Sequence, residues 1–366
     1  MRKLRCVLVW LQLSCFSVMG FTASLADQVL TEQAFFQLQP QQSPLSEQFT
    51  ALVNSPPNPL RVSQQEAIRV VFLLFGERDT WQNQLILSAF RKRMRELGIV
   101  YRLDTYLDRS GSGVDFIPHL DVMVAESDYI VATKMSLGLK RLYERFLLAE
   151  KSKLILFDFA APLRHWVLEP PLIYLGFDQA KAVQQLASYL DRQLPEQAMI
   201  SALVLPDDYI GQMRCDHFID EMQSHGRSIT DIYVVNNDQQ QAFLRAQSLL
   251  TGNVPSEFIF SCTQNIAKGV IQALQAHSSL EVQTNVWGPF NDNVSDIKTP
   301  YINAITLFYW DDVVIAIAEA IKLDLEGRNS ANLYMARSSL LPGDIDRETL
   351  SLMLQQAYHY SVKSWR

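Results

Sequence analysis

IRVVFLLF at residues 68–75, GERDTWQNQLILSAFRKRMRELG at 76–98 and IVYRLDTYL at 99–107 together decide how this chain folds. The first stretch is apolar on both faces of an extended chain, as a central strand of a parallel sheet must be. Within 81–97, Leu85, Ala89, Met94 and Leu97 fall near one side of a helix, and Gly98 suits its end. Residues 100–107 read as the next strand. One β-to-β step of this kind spans about 30 residues, the length of a βαβ unit, and its right-handed crossover lays the helix against the sheet.

Working outward, the same rhythm continues. A Ser-Gly-Ser-Gly loop at 110–113 precedes a helix at 114–126, a strand at 129–133, a helix at 137–150 and a strand at 153–159. A second set follows LIYLGFD at 172–178. It comprises helix 179–193, strand 200–205, helix 210–224, strand 229–235, helix 239–251, strand 257–262, helix 264–277 and strand 282–287. The repetition, with its change at 176–178, predicts an α/β chain of two similar parallel-sheet lobes with a ligand cleft between them. A strand at 301–307, a helix at 311–326, a strand near 333–336 and a helix at 346–362 complete the chain. Asp311 and Asp312 suit the start of the first of these helices and Gly327 its stop. This tail implies several hinge crossovers, which restrict motion to opening and closing. The expected division assigns 68–177 plus 300–328 to the first lobe and 178–299 plus 329–366 to the second.

Ahead of the lobes, Met-Arg-Lys-Leu-Arg, an apolar run from Cys6 to about Phe21 and small residues at Ser24 and Ala26 read as a secretory signal over 1–26, cleaved near Ala26. Residues 27–67 are rich in Gln and Pro and read as an N-terminal extension, with a short helix at 46–53 and an extended Ser55-Pro-Pro-Asn-Pro. No later segment is long and apolar enough to span a bilayer, so the mature chain is expected in the periplasm. A net charge of −7, signal included, argues against nucleic acid as a partner. Cleavage would leave two of four cysteines, Cys215 and Cys262. They are read as separate buried thiols, with a disulfide as the alternative in an oxidising compartment.

Enzyme motifs are absent: there is no Gly-x-Ser-x-Gly elbow, P-loop, His-Glu-x-x-His or Cys-x-x-Cys. Six scattered histidines offer no metal spacing. The chain is therefore expected to be no enzyme and to need no cofactor or metal. In open α/β sheets ligands bind beyond the carboxyl ends of strands, which selects 76–81, 158–161, 209–214, 263–265 and 287–290. These segments supply carboxylates, amides, an arginine and two tryptophans, the mixture that sugar hydroxyls and C–H faces require. Each residue also has a plainer role available: Trp81 and Trp287 in the core, Asp158 as a turn cap, Arg214 paired with Asp216.

Four stretches carry a resemblance to a known group: KLILFDFAAPLRHW (153–166), IYLGFD (173–178), YIGQMRCDHF (209–218) and AIAEAIKLDLE (316–326). They resemble LuxP-like autoinducer-2-binding periplasmic proteins, of the type I periplasmic-binding-protein family, and the similarity extends over almost the whole mature chain. The resemblance implies the type I fold and a receptor that closes on a sugar-like ligand, then presents that state to a membrane sensor histidine kinase. The tryptophans of that group fall on Trp81 and Trp287, and one of its two borate-facing arginines falls on Arg214. Its asparagine is Asp158 here, and a Thr-Asp pair is replaced by Gln264 and Asn265. The second arginine aligns with Phe308, or with Tyr309 or Trp310 if the register slips. Glu77, Arg78 and Asp79 stand where the group has smaller or neutral polar residues.

The implied ligand set is thus Glu77, Arg78, Trp81, Asp158, Arg214, Gln264, Asn265, Trp287 and Phe308. Loss of one guanidinium would cost an anionic borate diester a few kcal/mol if its charge goes unpaired in a closed cleft. Arg78 is the candidate to restore the positive charge, while Glu77, Asp79 and Asp158 oppose it. Autoinducer-2 and a different sugar or polyol both remain open as ligands. The alternatives for function are the sugar-binding subunit of an ABC importer and a ligand-independent structural partner of a sensor.

Overall fold

The computed structural model describes residues 25, 28–78, 80–149, 151–206, 209–252, 256–277, 281–288 and 300–361. The signal expected over 1–26, apart from Leu25, lies outside the described residues, as do Asp79, 289–290 and the tail beyond 361.

Two six-stranded sheets form the two lobes. In the first, β1 (Ile68–Phe75) lies between β2 (Tyr101–Asp108) and β3 (Tyr129–Ala132), followed outward by β4 (Lys153–Leu156), β5 (Ile173–Phe177) and β11 (Leu333–Ala336), all parallel. In the second, β6 (Ile200–Val204) lies between β7 (Ile229–Val234) and β8 (Phe258–Ser261), then β9 (Gln283–Trp287), β10 (Ile302–Phe308) and β12 (Ser338–Pro342). Only β12 runs antiparallel, against β10. Val70 to Leu74 are fully buried, as their uniform apolarity requires. The α/β two-lobed architecture read from the sequence is therefore the one observed.

The lobe boundaries need correction. Strand β10 was expected in the first lobe, but it pairs with β9 in the second sheet. Strand β11 was expected in the second, but it pairs with β5 in the first. An apolar strand satisfies either sheet equally, so its β signal alone does not tell which edge it joins. As a result the chain crosses between lobes three times: after Phe177, at 308–310, and at Arg337 between β11 and β12. Helix α10 (Trp310–Leu325) follows the second crossing and is buried from Asp311 to Leu323. It packs on α3 (Trp81–Glu96) of the first lobe, where Arg93 and Glu319 form a buried ion pair (Nη2–Oε1 2.6 Å).

The extension is more ordered than its composition suggested. Helix α1 (Glu32–Leu38), capped by Thr31, was not anticipated. It buries Phe35 in the first lobe's core along with Leu25 and Leu30, while Leu30 N–H donates to Pro162 O (2.8 Å). Helix α2 (Gln42–Val53) is anchored beside β11 by a Phe49–Tyr334 ring contact and by Gln42, which receives Asn332 N–H at 2.7 Å. The helix expected at 114–126 begins as a 3₁₀ turn (Val114–His119) around Pro118 and becomes α4 (Leu120–Glu126). The helix expected at 210–224 begins as a π-helical turn (Gly211–Asp216) that leads into α7 (His217–Ser224).

Candidate functional site

Between the lobes lies a cleft of about 500 Å³ at the carboxyl ends of both sheets. Trp81 and Asp158 line it from the first lobe; Arg214, Gln264, Asn265, Trp287 and Phe308 line it from the second. Glu77 and Arg78 are not on its wall. Both are exposed, and Glu77 pairs with Arg109 (3.1 Å), so the proposed rescue of positive charge by Arg78 is not seen. Their turn is aimed outward because the Asn83 amide donates to Phe75 O (3.1 Å) and Glu77 O (2.8 Å), fixing the link from β1 to α3.

Arg214 sits in the π-helical turn, and its guanidinium is nearly buried. Nε and Nη2 donate to Gln179 Oε1 at 3.2 and 2.9 Å, and Nη1 donates to Cys262 O at 3.2 Å. Its carbon lies 4.3 Å from the centre of a Trp287 ring, a cation–π contact. The expectation of separate thiols is overturned here. Cys215 and Cys262 are joined by a disulfide across a Cα separation of 5.4 Å, so the residue after Arg214 is tied to the residue whose carbonyl Arg214 holds. The pairing brings together groups 47 residues apart, which sequence spacing does not reveal.

Trp287 is fixed at its edge by a hydrogen bond from Nε1 to Ser261 O (2.6 Å), and Phe308 stacks on it with a ring separation of 6.1 Å and an interplanar angle of 11°. Phe308 thus supplies an aromatic wall where the resemblance implies a second guanidinium. Rings continue from there through the hinge: Phe177 lies 4.5 Å from Phe308 and 4.9 Å from Trp310, which in turn lies 5.8 Å from Phe157. Gln264 accepts Trp287 N–H at its Oε1 (2.8 Å), leaving Nε2 buried without a partner among the described residues. Such an orphan donor on a cleft wall calls for an acceptor from a ligand or water. Asn265 donates to Asn237 O at 3.4 Å.

Asp158 follows β4 with φ at 58°, in the left-handed region that aspartate tolerates better than most residues. It does not cap a turn. Among the described residues its carboxylate accepts no hydrogen bond, and burial pushes it up to about 7 against the pull of Arg214. Tyr209, whose ring meets Phe159 at 4.5 Å, is also driven well above its ordinary value by burial.

Several cleft residues escaped the sequence reading. Lys134, after β3, brings a second cation to the wall; its Nζ donates to Gly111 O at 3.2 Å. Asn236 and Asn237 follow β7, and Trp310, offered by the sequence only as an alternative to Phe308, follows β10. All four sit at strand ends, where the same topological rule would have found them. Gln82 sits on α3 and Tyr358 in the turn that follows the last helix (Arg347–Ala357), and no local signal marks them.

Residues 148–328 match the family model described as a periplasmic binding protein domain. Among solved structures, the chain is similar to an ABC transporter periplasmic solute-binding protein from Actinobacillus succinogenes 130z with bound D-allose. Identity is 16%, the TM-score 0.66, and the match covers 78% of this chain and 99% of that one. It is similar to a periplasmic ribose ABC transporter protein from Conexibacter woesei DSM 14684 at 14% identity, TM-score 0.68, covering 80% and 97%. A chain of the XylFII–LytSN complex matches at 13% identity, TM-score 0.63, covering 76% and 98%. With two mostly parallel six-stranded sheets, three crossovers and a cleft at the strand ends, the chain has the type I periplasmic-binding-protein fold.

Proposed function

We propose that this protein is a periplasmic receptor, not an enzyme, whose lobes close on one small polyhydroxylated ligand. The observation that carries this reading is the composition of the cleft wall. Aromatic faces at Trp81, Trp287 and Phe308 alternate with a carboxylate, an orphan amide donor and a guanidinium, contributed by both lobes. Aromatic faces take sugar C–H surfaces and the polar groups take hydroxyls. Contacts from both lobes are satisfied only when the cleft is shut, so ligand shifts the population toward the closed state. Autoinducer-2 or a related sugar is the candidate ligand. Arg214 and Lys134 supply the two cations from opposite walls, with lysine in place of the second arginine.

The closed state would be read by a membrane sensor histidine kinase, a reading supported by the resemblance of the LuxP-like stretches and by the similarity to a chain solved in the XylFII–LytSN complex. The similarity to ABC transporter binding proteins supports delivery to a permease as the second reading. Thermal shift against autoinducer-2 with and without borate, ribose, D-allose and inositols tests the ligand. A rise in melting temperature that Trp81→Ala and Arg214→Ala both abolish is expected. No response to any compound would favour a ligand-independent structural role. Co-purification of the envelope-extracted protein with a histidine kinase or with a permease separates the two partners.

A further inference from the structure

The main cleft opens into a side pocket of about 180 Å³ in the first lobe, sharing Trp81, Gln82, Asp158 and Trp310 with it. The walls of this pocket are aromatic and aliphatic: Phe75, Trp81, Phe157 and Trp310, with Leu85 and Ile86. Two of its polar side chains are already spent on the backbone. Asn83 donates to Phe75 O and Glu77 O, and Thr133 Oγ1 donates to Leu73 O (2.9 Å). Asp158 is the one charged residue among those lining it, and its carboxylate accepts no hydrogen bond among the described residues. The two cations of the cleft, Arg214 and Lys134, line the larger space and not this pocket.

A carboxylate without a donor, set among four aromatic rings, matches the chemistry that recognises an ammonium group: charge pairing on one side and ring faces on the others. A hydroxyl would give that carboxylate one hydrogen bond and no charge, and a methyl group neither. We propose that the ligand is an amino-bearing polyol, its ammonium seated in the side pocket against Asp158 and its hydroxylated body in the cleft between Trp81 and Trp287. This rests on the reading of the cleft as a polyol site and narrows the ligand to an amine-bearing member of that class, which excludes autoinducer-2 itself. Asp158 is then the residue that separates amino ligands from their neutral parents.

Paired calorimetric titrations of the full chain test the assignment, using glucose with glucosamine, galactose with galactosamine, and ribitol with 1-amino-1-deoxyribitol. At least one amino compound is expected to bind tenfold or more tighter than its parent, and N-acetylation is expected to cancel the gain. The preference should widen between pH 5.5 and about 7 as Asp158 ionises, before the amino sugars lose their own proton. Arg214 and Tyr209 face Asp158 from the second lobe, and Lys134 lines the same cleft from the first. Asp158→Asn should bring the ratio of affinities within a pair close to one. If parents bind and their amino partners bind no tighter, or if Asp158→Asn keeps the preference, the amine assignment is wrong and the polyol site stands. If neither member of any pair binds and the compounds of the thermal-shift panel also fail, both readings fall. The wild-type pairs decide the matter even if Asp158→Asn does not fold.

Discussion

Replacing Asp158 by Asn should stabilise the ligand-free protein, and by an amount that depends on pH. In an unfolded chain the carboxyl titrates near 3.8, whereas in the cleft burial raises it to about 7. Because the folded value is raised, the native state favours the protonated acid. Its contribution is fully present below about pH 3.8 and is lost as pH rises through about 7. A gap of that size corresponds to at most about 4 kcal/mol. The side chain is only half-buried, and water in the open cleft reduces the realised figure to about 2 kcal/mol. Asparagine keeps the shape, tolerates a positive φ and carries no charge. Thermal unfolding of both proteins between pH 4 and 8 should show the variant gaining on the wild type up to about pH 7 and holding a constant lead above it. That lead should be roughly 3 °C for a chain of this length. Asp311, also raised to about 6 by burial, is present in both proteins and cancels. A lead that is absent, or that shrinks as pH rises, would refute the claim that burial, outweighing the pull of Arg214, holds the Asp158 carboxyl above its ordinary value.

Other consequences follow from the same contacts. Glu319→Gln leaves Arg93 and Lys322 uncompensated in the core between α3 and α10; a loss of about 3–5 kcal/mol in urea unfolding is expected, and a well-packed apolar replacement of the whole cluster should recover much of it. Reducing the Cys215–Cys262 bond releases a loop with a sequence separation of 47, which should cost roughly 4 kcal/mol, seen as a lower melting temperature with reductant. Ligand affinity should fall with it, because the disulfide positions Arg214. Phe35→Ala, at a residue 1% exposed under the extension, should cost about 3–5 kcal/mol; a change under 1 kcal/mol would show that α1 is not part of the folded body.

The scaffold was legible because burial on both faces writes itself into sequence as unbroken apolar runs, as in Val70–Leu74. Helix starts were legible too: Thr80, Ser136, Asp178, Asp238 and Asp346 all cap with their side chains. Sheet membership was not, because β10 and β11 carry the same apolar signal that either lobe accepts. Seven of the nine expected site residues reach the cleft, chosen by the strand-end rule and by resemblance together. Glu77 and Arg78 miss it because the Asn83 hydrogen bonds, invisible in a linear pattern, turn their loop outward. Lys134 also stands at a strand end, but nothing in the linear pattern separates a lysine on a cleft wall from the many that simply face water. Helix α1 was masked by the Gln-rich composition of its surroundings, and only Thr31 and Phe35 marked it.

Trp81, Trp287 and Trp310 all line the cleft, so the protein carries its own reporters of occupancy. Titrating the full chain with sugars, polyols, their amino counterparts and autoinducer-2, while following tryptophan emission, tests most directly whether a small polyhydroxylated molecule binds between the lobes. A saturable change for at least one compound, absent in Arg214→Ala, is the expected result. Emission that stays constant across every compound, in protein shown to be folded, would contradict it.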